Sequence, residues 1–320
     1  MKTSLRLDVR ALRFFVSVAE KGSLSAAAAE LGVTQSALSQ TVMQIEDILG
    51  AKVVDRSKRP LKLTAAGIAL ARHARTIVDE MDQLIAQVRE ADLANRPEVR
   101  LGMIDSYAAT VGPLVIKDVT LNASQVVLWA GLAFSQSSAL MQRQVDLIVT
   151  SDPMDDVDKL VRRALFTEPF VVVLPKSQTE RFCKSGLATL ACELPLIRFS
   201  TRSHFGAITE RYLRRCSIAA PRHLEIDTSD VVLSMVAGDL GWAITTPLVL
   251  MQTRAYLKDV TVIPIKGPAL TRTIYQVSRE GEYLETTEYL YQASRRILES
   301  TIFPDIRAAL PWLGPQLHLN

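Results

Sequence analysis

Apolar residues at the start of the chain recur at the spacing of an amphipathic helix. Over residues 8–21 they form one face, which consists of Val9, Leu12, Phe15, Val16 and Ala19. A second, alanine-rich helix can begin after a cap at Ser23 or Ser25 and end at Leu31. The small side chains of this second helix allow a neighbouring helix to pack closely against it.

A third helix is predicted over residues 35–49, capped by Thr34 and separated from the second only by a short turn at Gly32. Its apolar stripe consists of Leu38, Val42, Ile45 and Leu49. The polar residues off this stripe, near the helix start, are short and uncharged: Gln35, Ser36, Ser39 and Gln40. Such groups on a recognition helix can contact base edges in a DNA major groove. The alternative is a plain helical hairpin with a polar outer face.

A basic turn follows the third helix. Residues 51–62 hold five basic residues and one acidic residue, and short apolar runs at Lys52–Val54 and Leu61–Leu63 predict a two-stranded hairpin. Three basic residues lie at its tip: Arg56, Lys58 and Arg59. Basic side chains beside a recognition helix can bind DNA phosphates, although the same pattern is also that of a solvated basic loop.

Residues 8–67 resemble the winged helix-turn-helix of LysR-type transcriptional regulators. The similarity lies in the segments "LRFFVSVAEKGS", "LGVTQSALS" and "LTAAG", and in "DR" in the wing. It implies a cytoplasmic regulator whose helix-turn-helix, residues 24–43, binds double-stranded DNA. The other expected partners are copies of the same chain, in a homodimer or homotetramer, and RNA polymerase. The candidate DNA-binding residues are Ser23, Ser25, Thr34, Gln35, Ser36, Ser39, Gln40, Arg56, Lys58 and Arg59.

A long linker helix is predicted to begin after Thr64 and to end at Leu93. Its apolar residues alternate by four and three positions: Leu70, Ala74, Ile77, Met81, Leu84 and Val88. A 3.5-residue repeat is typical of a seam between two helices, and the alternative is packing within the same domain. The resemblance implies that the linker helices of two chains pair in an antiparallel fashion.

The remaining chain alternates short apolar runs with helical patterns, which predicts an α/β domain with mostly parallel sheets. The candidate strands are Val99–Met103, Val126–Trp129, Asp146–Val149, Phe170–Leu174, Leu196–Arg198, Leu224–Ile226, Gly241–Thr245, Val260–Pro264 and Thr273–Val277. Two such sheets would leave a cleft at the carboxyl ends of their strands, where small ligands bind.

Segments such as "VDLIVTSDP" and "EPFVVVLP" in this region resemble the LysR effector-binding domain. The resemblance implies two α/β subdomains similar to periplasmic binding proteins, with crossovers near residues 170–174 and 260–264. It places a small-molecule effector of unknown identity beside Asp105, Ser106, Tyr107, Ser200, Thr201, Arg202, Thr228 and Ser229. Hydroxyl groups and helix N-termini suit a carboxylate, although each hydroxyl can also serve only as a helix cap.

These patterns divide the chain into four parts. A DNA-binding domain covers residues 1–63, the linker helix 64–94 and the effector-binding domain 98–302. The prolines and glycine of the tail, residues 303–320, argue against a regular element there, and we assign this tail no function.

The charge distribution and the motifs that the sequence lacks limit the functions that we expect of this chain. The net charge of +3 arises in residues 1–100, which hold 15 basic and 12 acidic residues, whereas the rest holds 22 of each. We find no apolar membrane-spanning stretch, no metal-ligand spacing and no cofactor motif. Nucleophile-elbow, P-loop and dinucleotide-binding motifs are also absent from the sequence, so we expect no enzymatic activity. A thiol-based redox sensor that uses Cys183 and Cys192 remains an alternative function.

Overall fold

The computed structural model of the protein describes residues 7–58, 60–91, 98–121, 123–201 and 203–320. The chain divides into two compact units, Met1–Arg89 and Glu90–Asn320. The first unit is mainly helical, and the second is an α/β structure with two subdomains.

The first unit contains four helices and a hairpin. The helices are α1 (Val9–Lys21), α2 (Leu24–Leu31), α3 (Gln35–Leu49) and α4 (Ala65–Ala91), and strands β1 (Val54–Asp55) and β2 (Lys62–Leu63) pair antiparallel. Ser23 and Thr34 cap α2 and α3 by accepting a backbone hydrogen bond, as predicted. A glycine with positive φ follows each of the first three helices, because only glycine adopts this conformation without strain.

The apolar core of the first unit holds α1, α2 and α3 together. Phe15, Ala27, Leu38 and Val42 are among its fully buried or nearly buried members. The predicted stripe of α3 is wrong at its last position, because 43% of the Leu49 surface is exposed.

Glu46 is buried on α3 in place of Leu49. It receives hydrogen bonds from the Lys52 ammonium, at 2.8 Å, and from the Val53 backbone N–H, at 3.1 Å. Although burial opposes ionisation, the Lys52 and Val53 hydrogen bonds lower the pKa of Glu46. This carboxylate therefore ties α3 to the segment that leads into the hairpin.

The second unit contains eleven strands in its described residues. They are β3 (Glu98–Ile104), β4 (Gln125–Gly131), β5 (Leu147–Thr150), β6 (Leu160–Pro169), β7 (Val171–Pro175), β8 (Ile197–Phe199), β9 (Leu224–Ile226), β10 (Ala243–Thr245), β11 (Val260–Pro264), β12 (Thr271–Arg279) and β13 (His318–Leu319). The helices are α5 (Asp105–Thr110), α6 (Gly112–Val119), α7 (Ala133–Met141), α8 (Thr179–Phe182), α9 (Leu187–Glu193), α10 (His204–Arg215), α11 (Ser229–Ala237), α12 (Pro247–Gln252), α13 (Leu284–Ile297) and α14 (Phe303–Ala309).

The strands of the two subdomains belong to separate sheets. The first subdomain has a six-stranded sheet of order β13-β6-β12-β5-β3-β4. In the second subdomain, the sheet β10-β7-β11 lies beside the parallel pair β8-β9, to which a single bridge between Leu196 and Trp242 connects it. The chain enters the second subdomain between β6 and β7 and returns between β11 and β12. The segments predicted as crossovers correspond to β7 and β11, which pair with each other.

The prediction of mostly parallel sheets is wrong. Only β3 with β4, β3 with β5, and β8 with β9 are parallel pairs among the described strands. The reason is that β12 returns from the second subdomain and pairs antiparallel with both β5 and β6.

The tail is regular, which also contradicts the sequence analysis. Helix α14 is followed by a 3-10 turn at Pro311–Gln316 and by β13, which pairs with β6. Pro304 lies just after a π-helical turn, Leu298–Ile302, which joins α13 to α14 and changes the hydrogen-bond pattern of the helix before the proline. Leu310, Leu313 and Leu317 are buried and fix the tail to the core. None of the described helices is both long enough and apolar enough to cross a membrane.

Candidate functional site

The start of α3 presents a polar surface beside the start of α2. Gln35 and Gln40 are exposed, and the Ser25 hydroxyl donates a hydrogen bond to the Gln35 side-chain oxygen at 3.0 Å. Ser36 lies 3.1 Å from the Thr34 hydroxyl oxygen. The two helices therefore hold these candidate DNA-binding residues in one cluster, and the bond from Ser25 orients the Gln35 amide.

Two of the candidate DNA-binding residues, Ser23 and Thr34, have a structural role at the start of a helix. The Ser23 hydroxyl accepts the Ala26 N–H at 3.3 Å, and the Thr34 hydroxyl accepts the Ala37 N–H at 3.2 Å. These are helix caps, as the alternative interpretation of the sequence expects. Ser39 is half-buried, whereas Gln40 is exposed and makes no hydrogen bond to any residue that the structure describes.

The hairpin tip is built around Asp55. Its carboxylate accepts the Ser57 hydroxyl at 2.6 Å and the Ser57 N–H at 3.0 Å, and both bonds lower the pKa of Asp55. Arg56 and Lys58 are exposed on this turn, and Arg59 lies outside the described residues. A guanidinium nitrogen of Arg56 lies 3.8 Å from the Glu46 carboxylate, so Lys58 is the less neutralised cation of the two.

The predicted seam on α4 has two different parts. Leu70 and Ala74 pack against apolar residues of α1, including Leu12, so the structure corrects their assignment to a surface between chains. The more distal residues of the stripe are exposed, to fractions between 36% and 61%: Ile77, Met81, Leu84 and Val88. The correction follows from the short distance between α1 and the first turns of α4 within the same unit.

A cavity that is partly open to solvent lies between the two subdomains of the second unit, and its empty space, open solvent included, amounts to about 470 Å³. Its walls include the N-terminal ends of α7, α10 and α11. The first subdomain contributes Ile104, Asp105, Ser106, Gly131, Leu132, Ala133, Ser151 and Arg272. The second contributes Phe199, Ser203, His204, Phe205, Asp227, Ser229 and Val249.

The cavity contains only part of the predicted effector site. Asp105, Ser106 and Ser229 line it, whereas Tyr107, Ser200, Thr201 and Thr228 do not, and Arg202 lies outside the described residues.

The physical reasons for these corrections are local. Tyr107 points into the hydrophobic core, where burial raises its pKa. The N–H of Thr201 donates to Glu225 at 3.0 Å and its hydroxyl at 3.4 Å, and Ser200 also bonds this carboxylate. Thr228 is exposed at the start of α11. Position after a strand is therefore a weaker guide than the direction in which each side chain points.

Arg272 is the most connected residue of the cavity wall. Its Nε donates to the Glu168 carboxylate at 2.7 Å, and Nη2 donates to the Ser106 hydroxyl at 3.2 Å and the Thr246 hydroxyl at 2.9 Å. Glu168 also accepts the Leu248 N–H at 2.9 Å. Because Thr246 and Leu248 belong to the second subdomain, this buried ion pair is bonded to both subdomains.

Aromatic rings surround the guanidinium and the neighbouring imidazole. The Phe199 and Phe205 ring centroids are 4.5 Å apart, and the Arg272 guanidinium lies 5.1 Å from the Phe205 centroid. His204 Nδ1 lies 3.3 Å from the Ser151 hydroxyl oxygen. Burial lowers the pKa of His204, with Arg272 contributing and Asp152 opposing, so the imidazole is neutral at neutral pH.

Asp105 is the acidic counterpart of Arg272 in the cavity. Burial raises the pKa of this carboxyl, and the nearby Asp230 carboxylate raises it further. Asp105 is half-buried and makes no hydrogen bond to the described residues. The cavity thus combines the Arg272 cation, two carboxylates (Asp105 and Asp227), the His204 imidazole and several hydroxyls.

The sequence analysis missed Arg272, His204 and Phe205. Arg272 interrupts the alternation of apolar residues at the start of β12, and a charged residue at an inward position of a strand is the one local signal that marks it. His204 and Phe205 lie two and three residues after the predicted segment 200–202. Cys183 and Cys216 are half-buried and Cys192 is exposed, and all three thiols are free.

Together, a helix-turn-helix with a basic wing and a two-subdomain α/β unit with a central cavity define a DNA-binding sensor protein. Residues 9–68 match the family model described as "Bacterial regulatory helix-turn-helix protein, lysR family", and residues 94–289 match "LysR substrate binding domain". The chain belongs to the LysR family of bacterial transcriptional regulators.

Individual relatives agree with this assignment. The HTH-type transcriptional regulator ShiR of Corynebacterium glutamicum is 32% identical over 252 residues, which cover 75% of this chain and 83% of ShiR. The structure of an H2O2-bound OxyR mutant from Corynebacterium glutamicum has a TM-score of 0.58 at 19% identity, covering 97% of this chain and 96% of OxyR. Full-length CbnR in complex with its target DNA has a TM-score of 0.50 at 19% identity, covering 91% of this chain and 99% of CbnR. The structural similarities concern the fold.

Proposed function

We propose that this LysR-family regulator reads its operator with α3 and is controlled by a small effector in the cavity between the two subdomains. The observation that carries the proposal is the buried Arg272–Glu168 pair, whose arginine lies in the cavity wall and which is bonded to both subdomains. A ligand at this position contacts the residues that connect the subdomains. It can therefore favour one relative arrangement of the subdomains over another.

The same geometry supports a mechanism of control. An effector shifts a two-state equilibrium only by the difference between its affinities for the two states, typically about 1–3 kcal/mol. Ser106 and Ser229 approach the cavity from opposite subdomains, so a ligand bonded to both binds best at one hinge angle. Neither residue belongs to the DNA-binding unit, and the response is therefore separable from operator affinity.

In the DNA-binding unit, Gln35, Ser36, Ser39 and Gln40 are proposed to contact base edges, and Arg56, Lys58 and Arg59 to contact phosphates. Ser25 acts by orienting Gln35. Ser23 and Thr34 position the helices as caps, with contact to phosphate as a secondary role.

Self-association follows from the exposed stripe of α4. Ile77, Met81, Leu84 and Val88 leave a row of large apolar side chains in water, and a second copy of α4 would cover it. A homodimer matches a two-fold operator, and a homotetramer engages two such sites. The regulator then acts in the cytoplasm on RNA polymerase at the bound promoter, without catalytic activity of its own.

The decisive experiment selects binding sites from random DNA with the full-length protein and measures affinity for the selected site. We expect an inverted repeat. The variant Ser106→Ala/Ser229→Ala should retain operator affinity and lose the response to effector in a reporter strain, whereas Ser234→Ala, a hydroxyl removed elsewhere on α11, should retain both. A normal effector response in the double variant would exclude the cavity as the effector site.

Redox sensing is a second candidate because OxyR, whose described structure is peroxide-bound, shares the fold. Cys192 is exposed on α9, and Cys183 follows α8. Treatment with peroxide followed by counting of free thiols distinguishes the two functions. Loss of two thiols together with altered operator binding would favour the redox function, and three retained thiols would exclude it.

A further inference from the structure

We propose that the cavity binds a small organic acid that carries a hydrogen-bond-donating group beside its carboxylate, that is, an α-amino or α-hydroxy acid. This inference rests on the proposed function, because it takes the cavity to be the effector site. It specifies the two ends of the ligand and the residue that recognises each.

The carboxylate end is assigned to Arg272. The side chain is 4% exposed, and Nη1 makes no hydrogen bond to the described residues, whereas Nε and Nη2 are engaged with Glu168, Ser106 and Thr246. Two nine-residue helices, α7 and α11, also begin at this wall without a side-chain cap. Free N–H groups at helix N-termini and a guanidinium both favour an anionic group.

The donor end is assigned to Asp105. This carboxylate lies in the cavity wall without a hydrogen bond to the described residues, and the Asp230 carboxylate repels it. A half-buried acceptor without a protein partner is less well solvated than an exposed one, so a ligand donor at this position is favourable. An ammonium group of a ligand would donate a hydrogen bond to the Asp105 carboxylate and would also neutralise its charge. A hydroxyl group would only donate the hydrogen bond.

Asp105 and Arg272 line the same cavity without forming an ion pair with each other. Asp105 is the chain neighbour of Ser106, whose hydroxyl accepts the Arg272 Nη2 bond at 3.2 Å. A ligand whose donor and carboxylate lie on neighbouring carbons can engage both residues. A plain carboxylic acid would leave Asp105 unsatisfied, and a plain amine would leave the Arg272 Nη1 group unsatisfied.

The other walls define the rest of the ligand. Leu132, Phe199, Phe205 and Val249, which also line the cavity, are apolar. The remaining part of the ligand is therefore an apolar side chain.

The experiment uses calorimetry on the full-length protein with matched probes. The panel contains the apolar protein amino acids, their 2-hydroxy acid counterparts, the plain carboxylic acids and the decarboxylated amines. We expect at least one amino or hydroxy acid to bind about 10- to 100-fold more tightly than its plain acid and its amine, which corresponds to one lost charge-assisted hydrogen bond. Comparable binding of a plain acid or amine, or binding of no probe in the panel, would overturn the proposal.

The variant Asp105→Asn identifies which donor the cavity accepts. The asparagine oxygen still accepts a hydroxyl bond but has no charge for an ammonium group. Affinity for an amino acid should fall about 10- to 100-fold, and affinity for a hydroxy acid should change little. The control Asp230→Asn removes a neighbouring charge outside the cavity wall and should preserve binding of either probe. Unchanged amino-acid affinity in Asp105→Asn, with no hydroxy acid bound, would also overturn the proposal.

Operator binding measured with the same samples separates this inference from the proposed function. A probe that binds as expected without any effect on the operator complex contradicts the proposed function but supports the ligand chemistry. A compound from outside the two proposed classes that binds the cavity and changes the operator complex contradicts the ligand chemistry and supports the function.

Discussion

Arg272 and Glu168 are direct cross-strand neighbours on β12 and β6, and their side chains form a buried ion pair with an N···O distance of 2.7 Å. Glu168 lies one residue before the last residue of β6, where the chain crosses into the second subdomain. The pair therefore lies next to both crossovers, and its arginine forms part of the cavity wall. A change in either partner should affect both stability and the response to effector.

Glu168→Gln should destabilise the second unit by about 3–5 kcal/mol, because it leaves an uncompensated buried guanidinium. Urea unfolding followed by circular dichroism measures this loss. The matched control is Glu193→Gln, which breaks the exposed pair with Arg181 and should cost about 0–1 kcal/mol. Equal losses in the two variants would show that the buried pair contributes no more than a surface pair.

Asp105→Asn should stabilise the free protein at neutral pH. The folded-state pKa of Asp105 is raised by burial and by Asp230, so the folded protein binds this proton more tightly than the unfolded chain. The associated stability is present below the unfolded pKa of about 3.9 and is lost as the pH rises through the folded pKa. The gain in the variant should therefore be largest near pH 7 and should disappear near pH 3. A gain independent of pH would exclude this carboxyl as its cause.

Gln40→Ala should weaken the complex with the selected operator by about 1–3 kcal/mol and affect random DNA little, because an exposed glutamine amide can bond a base edge. Fluorescence anisotropy with both DNAs gives the two affinities. Gln292→Ala on α13 is the matched control in the other unit. Equal losses on both DNAs would assign Gln40 to the phosphate backbone.

Lys58→Ala should weaken binding to all DNA sequences alike and reduce the salt dependence of log Kd by about one unit, since one phosphate contact is lost. Titrations at several salt concentrations measure this slope. Lys117→Ala, on α6 of the other unit, should leave the slope unchanged. An unchanged slope in Lys58→Ala as well would place the wing away from the phosphates.

Ile77→Asp should dissociate the proposed dimer, because a charge would be buried between two α4 helices. Operator affinity should fall with it, because two half-sites are no longer bound together. Ile68→Asp introduces the same charge at an exposed position of α4 outside the apolar stripe and should remain dimeric. Sedimentation velocity at micromolar concentration measures the oligomeric state of both variants. If Ile77→Asp is still a dimer, the apolar stripe of α4 is not the dimer interface.

The first unit follows closely from its sequence because its signals are local. Ser23, Thr34 and the glycines after each helix fix boundaries within one turn of the chain, and the structure has them where predicted. The burial of Glu46 could not be predicted, since it depends on the path of the chain six residues later, at Lys52.

The effector cavity is less predictable because its contacts are long-range. Arg272 is 166 residues away from Ser106, and no spacing in the sequence relates them. Strand β6 was missed because its arginines, Arg162 and Arg163, hide the apolar alternation. The regular structure of the tail is also hidden in the sequence, because prolines usually end a helix, whereas Pro304 follows a π-helical turn that joins α13 to α14.

In the six-stranded sheet, β12 lies between β5 and β6. In the chain, however, residues 170–270, which form the second subdomain, separate β12 from β6. The second subdomain is continuous in sequence, whereas the sheet of the first is incomplete until β12 has been added. A compact second subdomain brings the ends of this insertion together, which reduces the entropy cost of closing so long a loop. Until β12 is inserted, β5 and β6 each expose an unpaired edge, at which strand exchange with another chain competes with correct folding.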